Sequence, residues 1–263
     1  MKITLLGTGG SAGLPQIGGP EGRGDWGKTD PNEPRNRRTR ASIVIETSQH
    51  KRILVDTAPE LRLQLTACAI PRIDAVIFTH THADHVAGLD DIRVLNRILA
   101  APMPAYATAP VWEELRRRFD YAFRPITGSF YGRPVLQDHT IIAGAEIEIA
   151  GAKIETIDQD HGYGRSLGLR VQNAAYCTDV VRMDGTQLAA LAGLDLLIVD
   201  CFSLRADHPT HAGLPTVLSW VEILRPRRTV LTHLGPDMDF CALAAQLPPG
   251  MEPGYDGMEI TLP

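Results

Sequence analysis

Cysteine is scarce in this 263-residue chain: there are four, and Cys68, Cys177, Cys201 and Cys241 lie far apart with no C-x-x-C pair. Such spacing offers neither a disulfide framework nor a cysteine-ligated zinc, and a reduced cytoplasm is the simplest setting. No apolar run approaches the roughly 20 residues that a membrane helix needs. The opening Ile3-Thr4-Leu5-Leu6 is too short for a secretory signal core and runs straight into glycines. Positive charge is not in excess either, since 26 Lys+Arg against 31 Asp+Glu leave a net charge of −5. That argues against a general nucleic-acid or anionic-membrane binder. Ser/Gly linkers, heptads and short-period repeats are missing too. Residues 1–263 therefore read as a single domain, long but ordinary for a layered α/β fold.

With 44% apolar and 22% charged residues, the chain can bury a proper core. Runs rich in β-branched residues predict strands at 3–6, 42–46, 53–56, 75–79, 167–171, 175–177, 196–200 and 229–232. Residues 146–157 predict a hairpin turning at Gly151. Helical spacing covers 60–68, 89–99, 112–119, 186–191, 216–224 and 241–247. Strands and helices interleave in both halves, which implies helices packed on β-sheets. Residues 18–40 break the pattern: rich in Gly, Pro, Asp and Arg, they read as a long loop. Its basic end (Arg35, Arg37, Arg38, Arg40) leaves two readings open, a solvated loop or a role near an anionic substrate.

The chemistry is concentrated in Phe78-Thr79-His80-Thr81-His82-Ala83-Asp84-His85. An apolar strand feeds directly into three histidines and an aspartate. Neutral imidazole and carboxylate are ligands that zinc, manganese and iron accept. Alternation at a strand end can aim His80 and His82 the same way, and a tight turn can then bring Asp84 and His85 to a second ion. A polar loop with surface histidines would rarely show this density of ligand types.

These residues resemble the H-x-H-x-D-H signature of the metallo-β-lactamase superfamily. The resemblance implies an αββα sandwich, two mixed β-sheets with helices on the outer faces. It implies further ligands after strands: His161, Asp179 and His233. One ion would be held by His80, His82, His161 and Asp179, the other by Asp84, His85, His233 and the shared Asp179. Asp56 matches an aspartate that buttresses such sites. Gly254-Tyr255-Asp256-Gly257-Met258-Glu259-Ile260, together with Pro209-Thr210-His211, resembles the phosphoribosyl cyclic phosphate phosphodiesterases of bacterial phosphonate breakdown. Members of that group can carry a structural zinc on a cysteine cluster in the early loop and a late histidine. Residues 18–28 hold no cysteine and Leu234-Gly235-Pro236 no histidine, so that zinc is not expected.

The implied activity is hydrolysis of a small phosphodiester, cyclic or nucleotide-like, by hydroxide held between two divalent ions, Mn²⁺ or Zn²⁺. Asp84 would orient the nucleophile and His211 would give a proton to the leaving group, with His208 the better candidate for capping the loop. The run Gly7-Thr8-Gly9-Gly10-Ser11-Ala12-Gly13 lacks the Lys-Ser/Thr of a P-loop and reads as a tight turn beside the metals. Competing readings are a non-catalytic nucleotide- or cofactor-binding member of the fold, and a tRNA-processing-type endonuclease. No membrane partner is implied, nucleic acid is disfavoured by charge, and a homodimer stays open.

Overall fold

The computed structural model describes residues 1–124 and 135–262. The first half runs through β1 (Lys2–Gly7), β2 (Ser42–Glu46), β3 (Arg52–Val55), α1 (Leu61–Ala67), β4 (Ala75–Ile77), α2 (Ala83–Val86), α3 (Ile92–Leu99), β5 (Met103–Ala107), α4 (Ala109–Arg118) and β6 (Leu136–Thr140). The second runs through β7 (Glu146–Ile149), β8 (Ala152–Asp160), β9 (Arg165–Val171), β10 (Ala174–Cys177), α5 (Gly185–Ala190) and β11 (Leu196–Asp200). It ends with α6 (Leu214–Leu224), β12 (Arg228–Thr232), α7 (Phe240–Gln246), β13 (Met251–Pro253) and β14 (Glu259–Thr261).

These strands form two seven-stranded sheets, ordered β14-β1-β2-β3-β4-β5-β6 and β13-β12-β11-β10-β9-β8-β7. Each sheet is half antiparallel meander and half parallel array. The parallel parts are β3 to β6 and β10 to β13. Parallel neighbours need a crossover, and the helices supply it. With right-handed crossovers the helices stack on the outer faces and the loops after the strands gather at one edge.

Strand residues sort by the two-residue period. Ile43, Ile45, Ile53, Val55 and Ile77 face Leu167, Leu169, Tyr176, Ile198 and Val230 across the interior between the sheets. Their neighbours Val44, Leu54 and Val76 pack outward against Leu61, Leu95, Trp112 and Leu115 of the helices. In the second sheet Leu197, Val199 and Leu231 likewise meet Val217, Trp220 and Leu243. Both faces of the central strands are covered, which is why they read as unbroken apolar runs rather than as alternation. The architecture is the αββα sandwich expected from the sequence. Among the described residues no helix is long and apolar enough to cross a membrane.

Local differences from the sequence reading have physical causes. The hairpin at Ala150–Gly151, both at positive φ, is present, but β8 continues to Asp160. Residues 89–91 form a separate 3₁₀ turn before α3, and Asp84 with His85 sits on a one-turn helix, α2, rather than a loop turn. Four strands lie outside the sequence reading. β5 contains a proline, β6 is a polar edge strand, and β13 and β14 are three residues each, defined by pairing with β12 and β1.

Asp256 locks the chain's end onto its beginning. Its buried carboxylate accepts hydrogen bonds from Thr8 N and Oγ1 (2.9 Å each) and from Thr39 N and Oγ1 (2.7 Å each). Burial pushes its pKa up to about 6 against the opposing pull of those bonds. A raised carboxyl pKa contributes stability that is complete below about pH 4 and lost as pH rises through about 6. Asp256→Asn should remove that slope, so the stability difference between wild type and variant should change between about pH 4 and 6 and be flat above. Asp256→Ala, which strands two buried amide donors, should cost about 2–4 kcal/mol in a denaturant titration at pH 7.

Candidate metal centre

Five acidic or imidazole side chains stand at the carboxyl ends of parallel strands. Asp56 follows β3, His80 lies just beyond β4, Asp179 just beyond β10, Asp200 ends β11 and His233 follows β12. Asp56, Asp179 and His233 adopt positive φ of 64°, 53° and 55°. Aspartate and histidine tolerate this left-handed region better than most residues, but it still carries strain, and such strain gathers at functional sites. The bend turns each side chain off the strand and into the space between the sheets. His161 arrives differently, on the hairpin between β8 and β9.

Two groups result. His80, His82, His161 and Asp179 present ligand atoms that all lie within 4.8 Å of one another, and so do Asp84, His85 and His233. Every histidine and aspartate expected from the sequence as a ligand is in one of the two. In the first group His161 Nε2 is 3.2 Å from His82 Nδ1, close to the roughly 3.3 Å that two nitrogens keep around one tetrahedral ion. In the second, Asp84 Oδ2 lies 3.3 Å from His85 Nε2 and 3.6 Å from His233 Nε2. Asp179 joins them: Oδ1 is 3.7 Å from His80 Nε2, 3.6 Å from His161 Nε2 and 3.5 Å from His233 Nε2, while Oδ2 is 3.1 Å from His85 Nε2.

The surrounding hydrogen bonds fix which ring nitrogen faces inward. The Thr79 hydroxyl donates to Asp56 Oδ2 (2.7 Å), which leaves Thr79 Oγ1 to accept from His80 Nδ1 (3.0 Å). His85 Nδ1 donates to Asp56 Oδ2 (2.8 Å) and His161 Nδ1 to the Thr210 carbonyl (2.8 Å). These tautomers follow from the hydrogen-bond network. Each leaves Nε2 pointed at the centre, and the Nε2 atoms of His80, His85 and His233 are buried without a hydrogen-bond partner. A buried polar atom without a partner is costly, and a ring of them around a carboxylate is a fit for divalent cations. No thiol takes part: Cys177 and Cys201 are buried in the outer core, where burial raises both thiols.

Electrostatics agree. Burial favours neutral His85 and His233, yet Asp179 overrides it, together with Asp56 for His85 and Asp84 for His233. His85 is raised well above its usual pKa and His233 to about 9. Burial likewise opposes ionisation of Asp179, but the surrounding imidazoles hold its carboxyl well below the usual range. His80 goes the other way, lowered by burial and by His85. Without cations, protons on His85 and His233 would do the same neutralising work.

His211 joins the same space without belonging to the ligand set. Its Nδ1 donates to Asp200 Oδ2 (2.7 Å), and its ring stacks on His233 (centroids 4.4 Å) and on Phe202 (5.2 Å). His211 also lies with Asp179 and His233 in a third group of ligand-type atoms, but the nitrogen it sets near Asp179 is Nδ1 (3.9 Å), whose proton goes to Asp200. His208 accepts at Nδ1 from Thr210 N (3.4 Å), a loop-capping contact. Sequence reasoning gave Asp200 no role. The signal was there: an aspartate ending an apolar strand, as Asp56 does.

The glycine run turns tightly against the centre. A Cβ on Gly10 would lie 2.8 Å from the Phe202 ring and 3.5 Å from His233 Cε1, so only glycine fits. Of the early loop's arginines, Arg35 pairs with Glu33, Arg40 with Glu60, and Arg37 lies over Trp26. Arg38 is buried and bonds to the Met238 carbonyl and to Asn36. The basic end therefore serves the loop's own anchorage.

If His85 and His233 are protonated when metal-free, binding through Nε2 must expel both protons. Titrating metal-free protein with a divalent cation at pH 7 should release about two protons per chain, measured by calorimetry in buffers of different ionisation enthalpy. Release should fall as pH rises through about 9. Zero release at pH 7 would contradict this charge assignment.

A beta-lactamase superfamily domain model matches residues 51–234, the stretch holding both groups. The octanoyltransferase of Porphyromonas gingivalis is 31% identical over 263 residues, 98% of this chain and 51% of that protein, so the chain spans about half the length of that relative. Coenzyme PQQ synthesis protein B of Methylobacterium radiotolerans is 28% identical over 255 residues, 84% of this chain and 79% of that protein. Among solved structures, a diphosphatase of the PhnP family superposes with a TM-score of 0.88 at 32% identity, over 100% of this chain and 98% of that one. Fold, strand-end histidine and aspartate groups and matched segment together make this chain a member of the beta-lactamase superfamily.

Proposed function

We propose that the protein is a dinuclear metal-dependent hydrolase of a small phosphodiester, cyclic esters included. The observation that carries the reading is Asp179, whose two carboxylate oxygens reach both histidine groups. One ion would be held by His80, His82, His161 and Asp179, and the other by Asp84, His85, His233 and Asp179. Nitrogen and oxygen donors without thiolate suit Mn²⁺ or Zn²⁺, and likeness to phosphonate-pathway enzymes favours Mn²⁺. Bound as a pair, such ions lower the pKa of a shared water and neutralise charge on phosphoryl oxygens.

The chain's own groups account for the rest. Asp84 reaches its neighbours through Oδ2, and its other oxygen would orient the attacking water. His211 would give the leaving oxygen a proton from Nε2. Asp200 is its positioning residue, holding Nδ1–H and steadying the charged ring. Gly10 and Phe202 pack closely around this corner and limit water.

A diphosphate linkage is a second reading, favoured by the PhnP-family diphosphatase likeness. The non-catalytic alternative draws on the likeness to coenzyme PQQ synthesis protein B, and the complete ligand set counts against it. Metal-reconstituted protein should be screened against cyclic phosphates, nucleotides and diphosphates. No turnover of any of them, with both ions bound, would reject the hydrolase reading.

Two substitutions test the roles. Wild type should carry about two ions per chain by elemental analysis. Asp179→Ala should lose both or keep one weakly, whereas a merely structural aspartate would lower thermal stability at unchanged metal content. His211→Ala should keep both ions yet lose roughly 10²–10⁴-fold in turnover. That loss should shrink for nitrophenyl esters, whose leaving groups depart without a proton. An equal loss for alkyl and nitrophenyl esters would leave His211 a substrate-positioning role only.

A further inference from the structure

Of the seven ligand residues, His82 alone is exposed, and beside it the surface opens into a trough of about 600 Å³. One wall is the group His80, His82 and His161 itself. The others come from three connections: Ala109 and Val111 where β5 turns into α4, Ile141 and Ile142 between β6 and β7, and Arg165 to Leu167 on the strand after the His161 hairpin. The size falls within the range of small-ligand sites, and the trough is continuous with the proposed reaction centre.

Its chemistry is selective. Apart from the histidines, Arg165 is the sole cationic side chain among the trough's described lining residues. Its guanidinium is tied to Asp158 by two contacts, Nε to Oδ1 at 2.9 Å and the second nitrogen to Oδ2 at 2.7 Å. Asp158 lines the same trough, so the pair is already neutral. A second phosphate or a carboxylate placed there would give up hydration and find no unpaired arginine or lysine among the described lining residues. An apolar group would instead cover Ile142, 74% exposed, above a floor formed by the buried Val111 and Ile141.

We propose that this trough is the specificity pocket for the organic group attached to the reacting phosphorus. It selects an uncharged, largely apolar substituent, of which an aromatic ring is the test case, over one bearing further negative charge. The assignment rests on the phosphoester reading above and narrows it: a sugar carrying an additional phosphate is disfavoured as the occupant.

The test uses metal-reconstituted full-length protein and three ligands sharing one phosphonate: methyl, phenyl and para-carboxyphenyl. By calorimetry, phenylphosphonate should bind roughly tenfold or more tighter than methylphosphonate. The para-carboxyphenyl ligand should fall back to the methyl value. Ile142→Asp and Ala109→Asp should each abolish the phenyl preference and leave methylphosphonate affinity unchanged. Both positions are exposed, and an aspartate at the first turn of α4 favours the helix, so folding is preserved. Equal binding of phenyl and methyl, tighter binding of the carboxyphenyl ligand, or a preference surviving both substitutions would overturn the proposal. Turnover of bis(para-nitrophenyl) phosphate separates the two layers. Turnover without a phenyl preference rejects the trough alone. A preference lost in both variants, without turnover of any ester, keeps the trough as a ligand site and rejects the hydrolase reading.

Discussion

Asp179 carries a negative charge into a place where only 1% of its side chain meets solvent, and a charge so buried must be matched by its surroundings. Four imidazole Nε2 atoms lie within 3.7 Å of its two oxygens, drawn from both sheets: His80 and His85 from the first, His161 and His233 from the second. The carboxylate is thus a clasp across the sandwich as well as a proposed ligand. Protons on His85 and His233 can satisfy it, and so can cations. The two are competing solutions to one electrostatic problem. This is why metal binding and protonation must be linked here, and why losing the carboxylate should disturb both groups together.

Holding those rings steady is the task of a second layer. Asp56 is fully buried and accepts from Thr79 N, Thr79 Oγ1 and His85 Nδ1, so one carboxylate orients His85 directly and His80 through Thr79. Asp200 does the same for His211. Both end strands whose interior faces are packed with Ile and Val, and rigid strands give such groups a fixed base. The strained backbone of Asp56, Asp179 and His233 lets a residue at a strand's end turn inward rather than continue toward solvent.

How legible this was in the sequence depended on where the information sits. The run from His80 to His85 is local, so the ligands' types and spacing were visible directly. His161, Asp179 and His233 were visible only as residues at strand ends matching a known pattern, because their convergence is a property of topology. Asp200 shows the limit. It ends Leu196–Asp200 just as Asp56 follows Arg52–Val55, but its role depends on His211, which a loop brings back to it. The short strands β13 and β14 fall outside local reading for the same reason, since three residues become a strand only beside distant partners. The basic loop's two readings stayed open for another reason: the sequence shows its charges but not that Glu33, Glu60 and Trp26 engage Arg35, Arg40 and Arg37.

The two ligand groups are not equivalent, and the difference has a consequence for how a substrate would approach. Asp84, His85 and His233 are all buried, His85 and His233 completely. The other group includes the exposed His82 and forms a wall of the trough. A ligand arriving from solvent therefore meets the His82 side first, with the buried group behind it and His211 packed against both His233 and His161. In that order, an organic substituent would remain in the trough while its phosphorus advances between the groups. The leaving oxygen would then be presented toward the flank where Asp200 holds His211. Selectivity and proton delivery would rest on different side chains, so substitutions in the trough should change which ester is preferred without changing how its leaving group responds to His211.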